Sequence, residues 1–155
     1  MPEVKIEQIL KERGYQLPAL AEAMGLYVPA VKVNDLVFTA GLLPEIGDDL
    51  KFAGKLGKDL TIEQGQRAAE LCALNALSII KEVIGDLDKI KRIVRVVGYI
   101  NSAPGFTDQP KVLNGASKLL IDIFGERGKH ARLALGIAEL PINAALEMEM
   151  IVQVA

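Results

Sequence analysis

Two stretches of alternation near the end of the chain, 131–138 and 146–153, oblige it to build a sheet. Successive side chains of a strand take opposite faces. In the first stretch Leu133, Leu135 and Ile137 therefore point one way, and Arg132, Ala134, Gly136 and Ala138 the other. In the second, Leu146, Met148, Met150 and Val152 share one face, and Glu147, Glu149 and Gln153 the opposite one. Pro141 and Asn143 supply the turn between them. Each strand has a greasy face and a small or polar one. Arg132 opens the first strand and Glu147 stands near the start of the second, and these are the candidate chemical groups.

Ahead of these strands the signals alternate in type. The segment 61–84 reads as the longest helix, with Ala68, Leu71, Cys72 and Ile79 on one stripe and Asn75 within it, needing a partner if buried. Thr61 and Gln64 have the spacing of a capping box, and Gly85 ends the run. The stretch 90–100 is rich in β-branched residues, and 109–124 carries a second helical pattern. Earlier, 27–32 and 36–40 read as a hairpin turning at Asn34-Asp35, and 46–58 as a loop with a brief strand near Phe52. A short amphipathic helix is predicted over 4–13, then a second apolar piece over 19–24. Residues 1–26 thus form a helical extension that packs as an appendage on a single domain spanning 1–155.

The order strand, strand, helix, strand, helix, strand, strand predicts an α+β fold: one mixed sheet with two helices on its greasy face. The other face, carrying Arg132, Ala134 and Gly136, is expected to pack against further copies of the chain. Half of the 155 residues are hydrophobic and mean hydropathy is +0.26, a load of apolar side chains that also predicts a subunit interface.

A net charge of −2 gives no global pull toward nucleic acid or anionic membrane. Cys72 stands alone, which excludes an intrachain disulfide and suits a reducing compartment. The start, Met-Pro-Glu-Val-Lys-Ile-Glu, lacks the apolar stretch of a signal peptide, and no run of about 18 apolar residues occurs. A cytoplasmic protein without a membrane span is the expectation.

From about Tyr27 to Ala155 the chain resembles the Rid family of reactive-intermediate deaminases, the YjgF-like proteins. The resemblance rests on Tyr27 followed by Gly41 in Thr-Ala-Gly-Leu-Leu-Pro, Asn114 in the second long helix, Arg132, Glu139-Leu-Pro141, and Glu147 in Leu-Glu-Met-Glu. With its leading segment the chain is similar to a longer subgroup. The resemblance implies a chorismate-mutase-like α+β fold and a homotrimer with clefts between subunits. It implies hydrolysis of an enamine or imine to a 2-keto acid and ammonia, without metal or organic cofactor.

Carried onto this chain, Arg132 would grip the substrate carboxylate, because a planar guanidinium offers paired donors. Glu147 would position water or pass a proton. Gly41 would bring bare backbone to the ligand, Tyr27 would close the cleft, and Asn114 would offer its amide. A small carboxylate and the chain itself are thus the expected partners. Where relatives often carry a polar residue, this chain has Leu42, Leu133 and Ala134, which points to a greasier cleft wall and a bulkier, more apolar imino acid. Each residue also has an ordinary structural reading: an interface ion pair for Arg132 or Glu147, a strand-end glycine, a half-buried tyrosine, a helix asparagine bonded to a loop. His130 reads as an exposed strand-entry residue and Cys72 as a buried, inert thiol. Lys89, Lys91, Arg92 and Arg95 could touch RNA phosphates, but no aromatics interleave them. A solvated strand edge is the better reading, and a nucleic-acid partner is not expected.

Overall fold

A computed structural model describes residues 4–22 and 25–155. Five strands form one mixed sheet: β1 (Ala30–Val33), β2 (Leu36–Thr39), β5 (Ile90–Asn101), β6 (Ala131–Ile137) and β7 (Leu146–Val154). Their order across the sheet is β1-β2-β7-β5-β6, with β5 and β6 parallel and every other pair antiparallel. The two terminal strands of the sequence are therefore not neighbours: β5 lies between them. A separate two-stranded hairpin, β3 (Glu45–Ile46) and β4 (Asp49–Leu50), occupies the start of the stretch expected to be loop. Phe52 lies outside any strand, although its carbonyl accepts from Ala145 N at 3.0 Å.

The helices α2 (Ile62–Ile84) and α3 (Gln109–Phe124) cover one face of the sheet. The capping box that opens α2 is formed: Gln64 N donates to Thr61 Oγ1 at 3.2 Å, and Thr61 N to Gln64 Oε1 at 2.9 Å. Gly85, with φ 84°, ends it. Two helices and a sheet this close need small residues at the contacts. A Cβ on Gly115 of α3 would stand 2.0 Å from the Gln66 carbonyl oxygen of α2, and one on Gly98 of β5 would stand 2.6 Å from Leu113 Cδ1. Asn75, buried within α2, has its partners: its Nδ2 donates to the carbonyls of Glu45 at 2.7 Å and Leu43 at 3.3 Å.

That close packing reverses one expectation. In β7 the greasy residues Leu146, Met148, Met150 and Val152 are buried under the helices, as the pattern predicts. In β6 the opposite holds. Ala134 pairs with Gly98 beneath Leu113, so Arg132, Ala134 and Gly136 face α3, while Leu133, Leu135 and Ile137 are exposed on the far side of the sheet. Together with Val31, Val33 and Phe38 they put exposed apolar side chains on that far face, which also carries Glu147, Glu149 and Arg95.

The leading segment is also more integrated than an appendage. The helix α1 (Ile6–Glu12) buries Ile6 and Leu10 to 1% and 3% exposure in the same core as α2 and α3. Of the second apolar piece, Ala23 and Met24 lie outside the described residues, and 15–22 carry no regular structure. Among the described residues no helix is long and apolar enough to cross a membrane.

Candidate active site

Arg132 stands near the start of the edge strand β6, on the helix side, where the flank of α3 meets it. Its Nη1 donates to Asn114 Oδ1 at 2.8 Å and to Ser117 Oγ at 3.2 Å, and its Nη2 to the Pro110 carbonyl at 3.3 Å. All three acceptors are neutral. Among the described residues no carboxylate forms an ion pair with it. The guanidinium is thus held in place with its charge uncompensated, and the side chain is only half-buried. Such a group can receive a carboxylate.

Ser117 belongs to this cluster although neither the strand pattern nor the family resemblance points to it. Its three-residue spacing from Asn114 puts both on one flank of α3 and is the available signal. It also binds His130, which is half-buried rather than exposed at the strand entry. His130 Nδ1 lies 2.6 Å from the Gly128 carbonyl, which can only accept, so Nδ1 carries the proton of the neutral ring. Its Nε2, 2.9 Å from Ser117 Oγ, then accepts from the hydroxyl, and Ser117 in turn accepts from Arg132. Burial pushes the His130 pKa down, opposed by the bond to Gly128 and assisted by the Arg132 charge.

A second cluster surrounds Glu147. Gly41 leaves β2 beside β7, and a Cβ there would stand 2.2 Å from Glu147 Oε1, so only glycine lets the carboxylate lie against this backbone. Glu147 is half-buried, and burial, then the Glu149 charge, pushes its carboxyl above the usual range. Tyr27, 54% exposed, lines a cleft together with Gly41 and Leu42. Behind that cleft Cys72 is fully buried, and its Sγ donates to the Leu42 carbonyl at 3.4 Å. Burial, then Glu147 and Glu45, pushes the thiol well above its ordinary pKa, so it stays protonated and unreactive.

The sequence-predicted residues therefore fall into two groups: Arg132 with Asn114, and Glu147 with Gly41 and Tyr27. Within one chain the sheet separates them. Directly paired residues share a face, so Arg132, Val96 and Met150 line up on the helix side. Leu135, Tyr99 and Glu147 line up on the far side. The three apolar departures are likewise dispersed. Leu42 is in the cleft at Tyr27, Ala134 shares the face of Arg132, and Leu133 lies on the far face. The basic run is solvent-facing: Lys89, Lys91, Arg92 and Arg95 are exposed. β5 is internal, but β6 begins opposite Arg95, so 90–94 do form an overhanging edge.

A family model described as "YjgF/chorismate mutase-like, putative endoribonuclease" matches residues 7–153. The match starts well before Tyr27, where the resemblance was expected to begin. The chain is 41% identical to Protein TCP17 of Trypanosoma cruzi over 145 residues, 93% of this chain and 91% of that protein. Among solved structures it is similar to Atu1372, of unknown function, from Agrobacterium tumefaciens: 41% identity, TM-score 0.88, 96% of this chain and 91% of the other covered. It is also similar to a protein from Shewanella oneidensis MR-1 described as a "putative endoribonuclease", with 34% identity and TM-score 0.94. That superposition covers 97% of this chain and 100% of the other, so the leading segment belongs to the shared fold.

Proposed function

Because the chain belongs to the YjgF-like Rid family, we propose that it hydrolyses reactive 2-imino acids or their enamines to 2-keto acids and ammonia, as a homotrimer whose sites lie between subunits. The observation that carries this reading is Arg132: a cation braced by Asn114, Ser117 and Pro110, with no carboxylate partner. Arg132 would hold the substrate carboxylate. Glu147 would take a proton from water as its oxygen adds to the imine carbon, giving a carbinolamine. Glu147 then returns that proton to the nitrogen, which leaves as ammonia, while the hydroxyl gives its proton back to the carboxylate and becomes the keto oxygen. A carboxyl raised by burial is a stronger base than an ordinary one, which supports this role. The separation of Arg132 from Glu147 by the sheet supports sites shared between protomers. So do the exposed Leu133, Leu135 and Ile137 of the far face, which give a neighbouring subunit apolar side chains to cover.

The test is ammonia release from imino acids generated in situ by an amino-acid oxidase. Wild type should accelerate it, and Arg132→Ala should lower kcat/KM by about a hundredfold or more, since a charge-assisted anchor is lost. Equal rates for the two proteins would end the proposal. A melting shift with 2-keto acids but no ammonia release would make the protein a carboxylate-binding module instead.

A second reading, RNA cleavage or binding, is favoured by the description of the family and by the exposed Lys91, Arg92 and Arg95. It ranks below the first because the net charge is −2 and no exposed aromatics interleave the run. Retention of RNA at low salt, lost in an Arg92→Ala/Arg95→Ala variant, would promote it.

A further inference from the structure

Residues 17–22 cross the C-terminal half of α2 and reach the β3–β4 hairpin. They are pinned at three points. Ser78 Oγ donates to the Pro18 carbonyl at 3.0 Å, Gly47 N to the Ala19 carbonyl at 3.0 Å, and Glu22 N donates to Asp48 Oδ1 at 3.2 Å. Leu17 and Leu20 pack against the core. Between this strap and the stretch from Tyr27 to Leu43 lies a small open cleft of about 60 Å³. Leu20 and Ala21 form one wall, Leu42, Leu43 and Ile79 another. Gly41 lines it too, and against Gly41 lies the Glu147 carboxylate.

The polar groups in this cleft restrict what can enter. Asn75 spends its amide nitrogen on Leu43 and Glu45, so it has only an acceptor to present. Glu22 and Glu45 also line the cleft, and among the described residues no cation does. An anionic end is repelled here, whereas an apolar group gains by leaving water. The cleft is therefore complementary to Arg132: one site suits a carboxylate, the other an apolar body, and Glu147 stands beside the second.

We propose that the leading segment builds the side-chain subsite of the enzyme: the apolar side chain of a 2-imino acid enters the cleft walled by Leu20 and Ala21, while its imine carbon lies at Gly41 and Glu147. Branched and aromatic 2-imino acids are then preferred over small ones, and those with a second carboxylate are excluded. The inference rests on the imine-hydrolase reading above and names its substrate class.

The experiment compares imines with methyl, isobutyl, benzyl and carboxyethyl side chains on the full-length protein. It is run on wild type, Leu20→Trp and Ala21→Phe. Melting shifts with the corresponding 2-keto acids give a readout independent of turnover. Expected is a kcat/KM for isobutyl at least about tenfold above methyl, with carboxyethyl lowest, and a roughly tenfold fall in the isobutyl-to-methyl ratio in either variant. If imines are hydrolysed in an Arg132-dependent way but the ratio is near unity, or does not move in whichever variant folds, the subsite is wrong and the function stands. If no imine is hydrolysed and Arg132→Ala matches wild type, the function itself fails and the subsite falls with it.

Discussion

At the scale of single residues, the Glu147 carboxyl carries a penalty that can be measured. Its pKa in the folded protein is raised, chiefly by burial and secondarily by Glu149. The folded state then binds more protons than the unfolded state between the ordinary and the raised pKa, so stability falls as pH rises through that window. Above the raised value the full cost of the buried charge is present, and below the ordinary value it vanishes. Glu147→Gln, which removes the charge and keeps the shape, should therefore melt higher than wild type at neutral pH. The difference should shrink as pH drops below the carboxyl range. Melting curves across pH check this, and a variant less stable at neutral pH would show that the carboxylate is instead rewarded by a partner. The catalytic assignment expects the same variant to lose activity while gaining stability, as residues held for function often do.

At the scale of elements, fit between α2 and α3 decides more than hydrophobicity does. Gly115→Ala puts a methyl 2.0 Å from a backbone oxygen of α2, and backbone cannot swing aside as a side chain can. A loss of about 1–3 kcal/mol in denaturant unfolding is expected, despite the better helix propensity of alanine. The same closeness explains what the sequence could not disclose. The alternation in β6 was legible, and so were the caps and stripe of α2 and the hairpin at Asn34. Which face of β6 turns inward was not, because a period of two is silent on sides and the usual guess puts bulk inside. Here the glycine and alanine side, with Arg132, faces α3 because the contact is too narrow for leucine. The docking of α1 was hidden for a different reason: a seven-residue helix shows its apolar stripe but not its destination. Of the candidate site, Arg132, Asn114, Gly41, Tyr27 and Glu147 are the residues the family pattern nominates. Ser117, His130 and the strap are not among them, since their parts come from contacts between distant segments.

At the scale of the whole molecule, one chain carries exposed apolar side chains on one sheet face and two candidate clusters turned away from each other. Leu133, Leu135, Ile137, Val31, Val33 and Phe38 lie outside the core, on the far side of the sheet. The separation by the sheet has a further consequence. If catalysis needs the guanidinium of one protomer and the carboxylate of another, lesions in different chains can rescue each other. Arg132→Ala and Glu147→Gln, each inert alone, should regain activity when unfolded together and reassembled at equal amounts. Random mixing gives about a quarter of the sites both intact groups. A mixture as dead as its parents would mean that each protomer must work with its own pair.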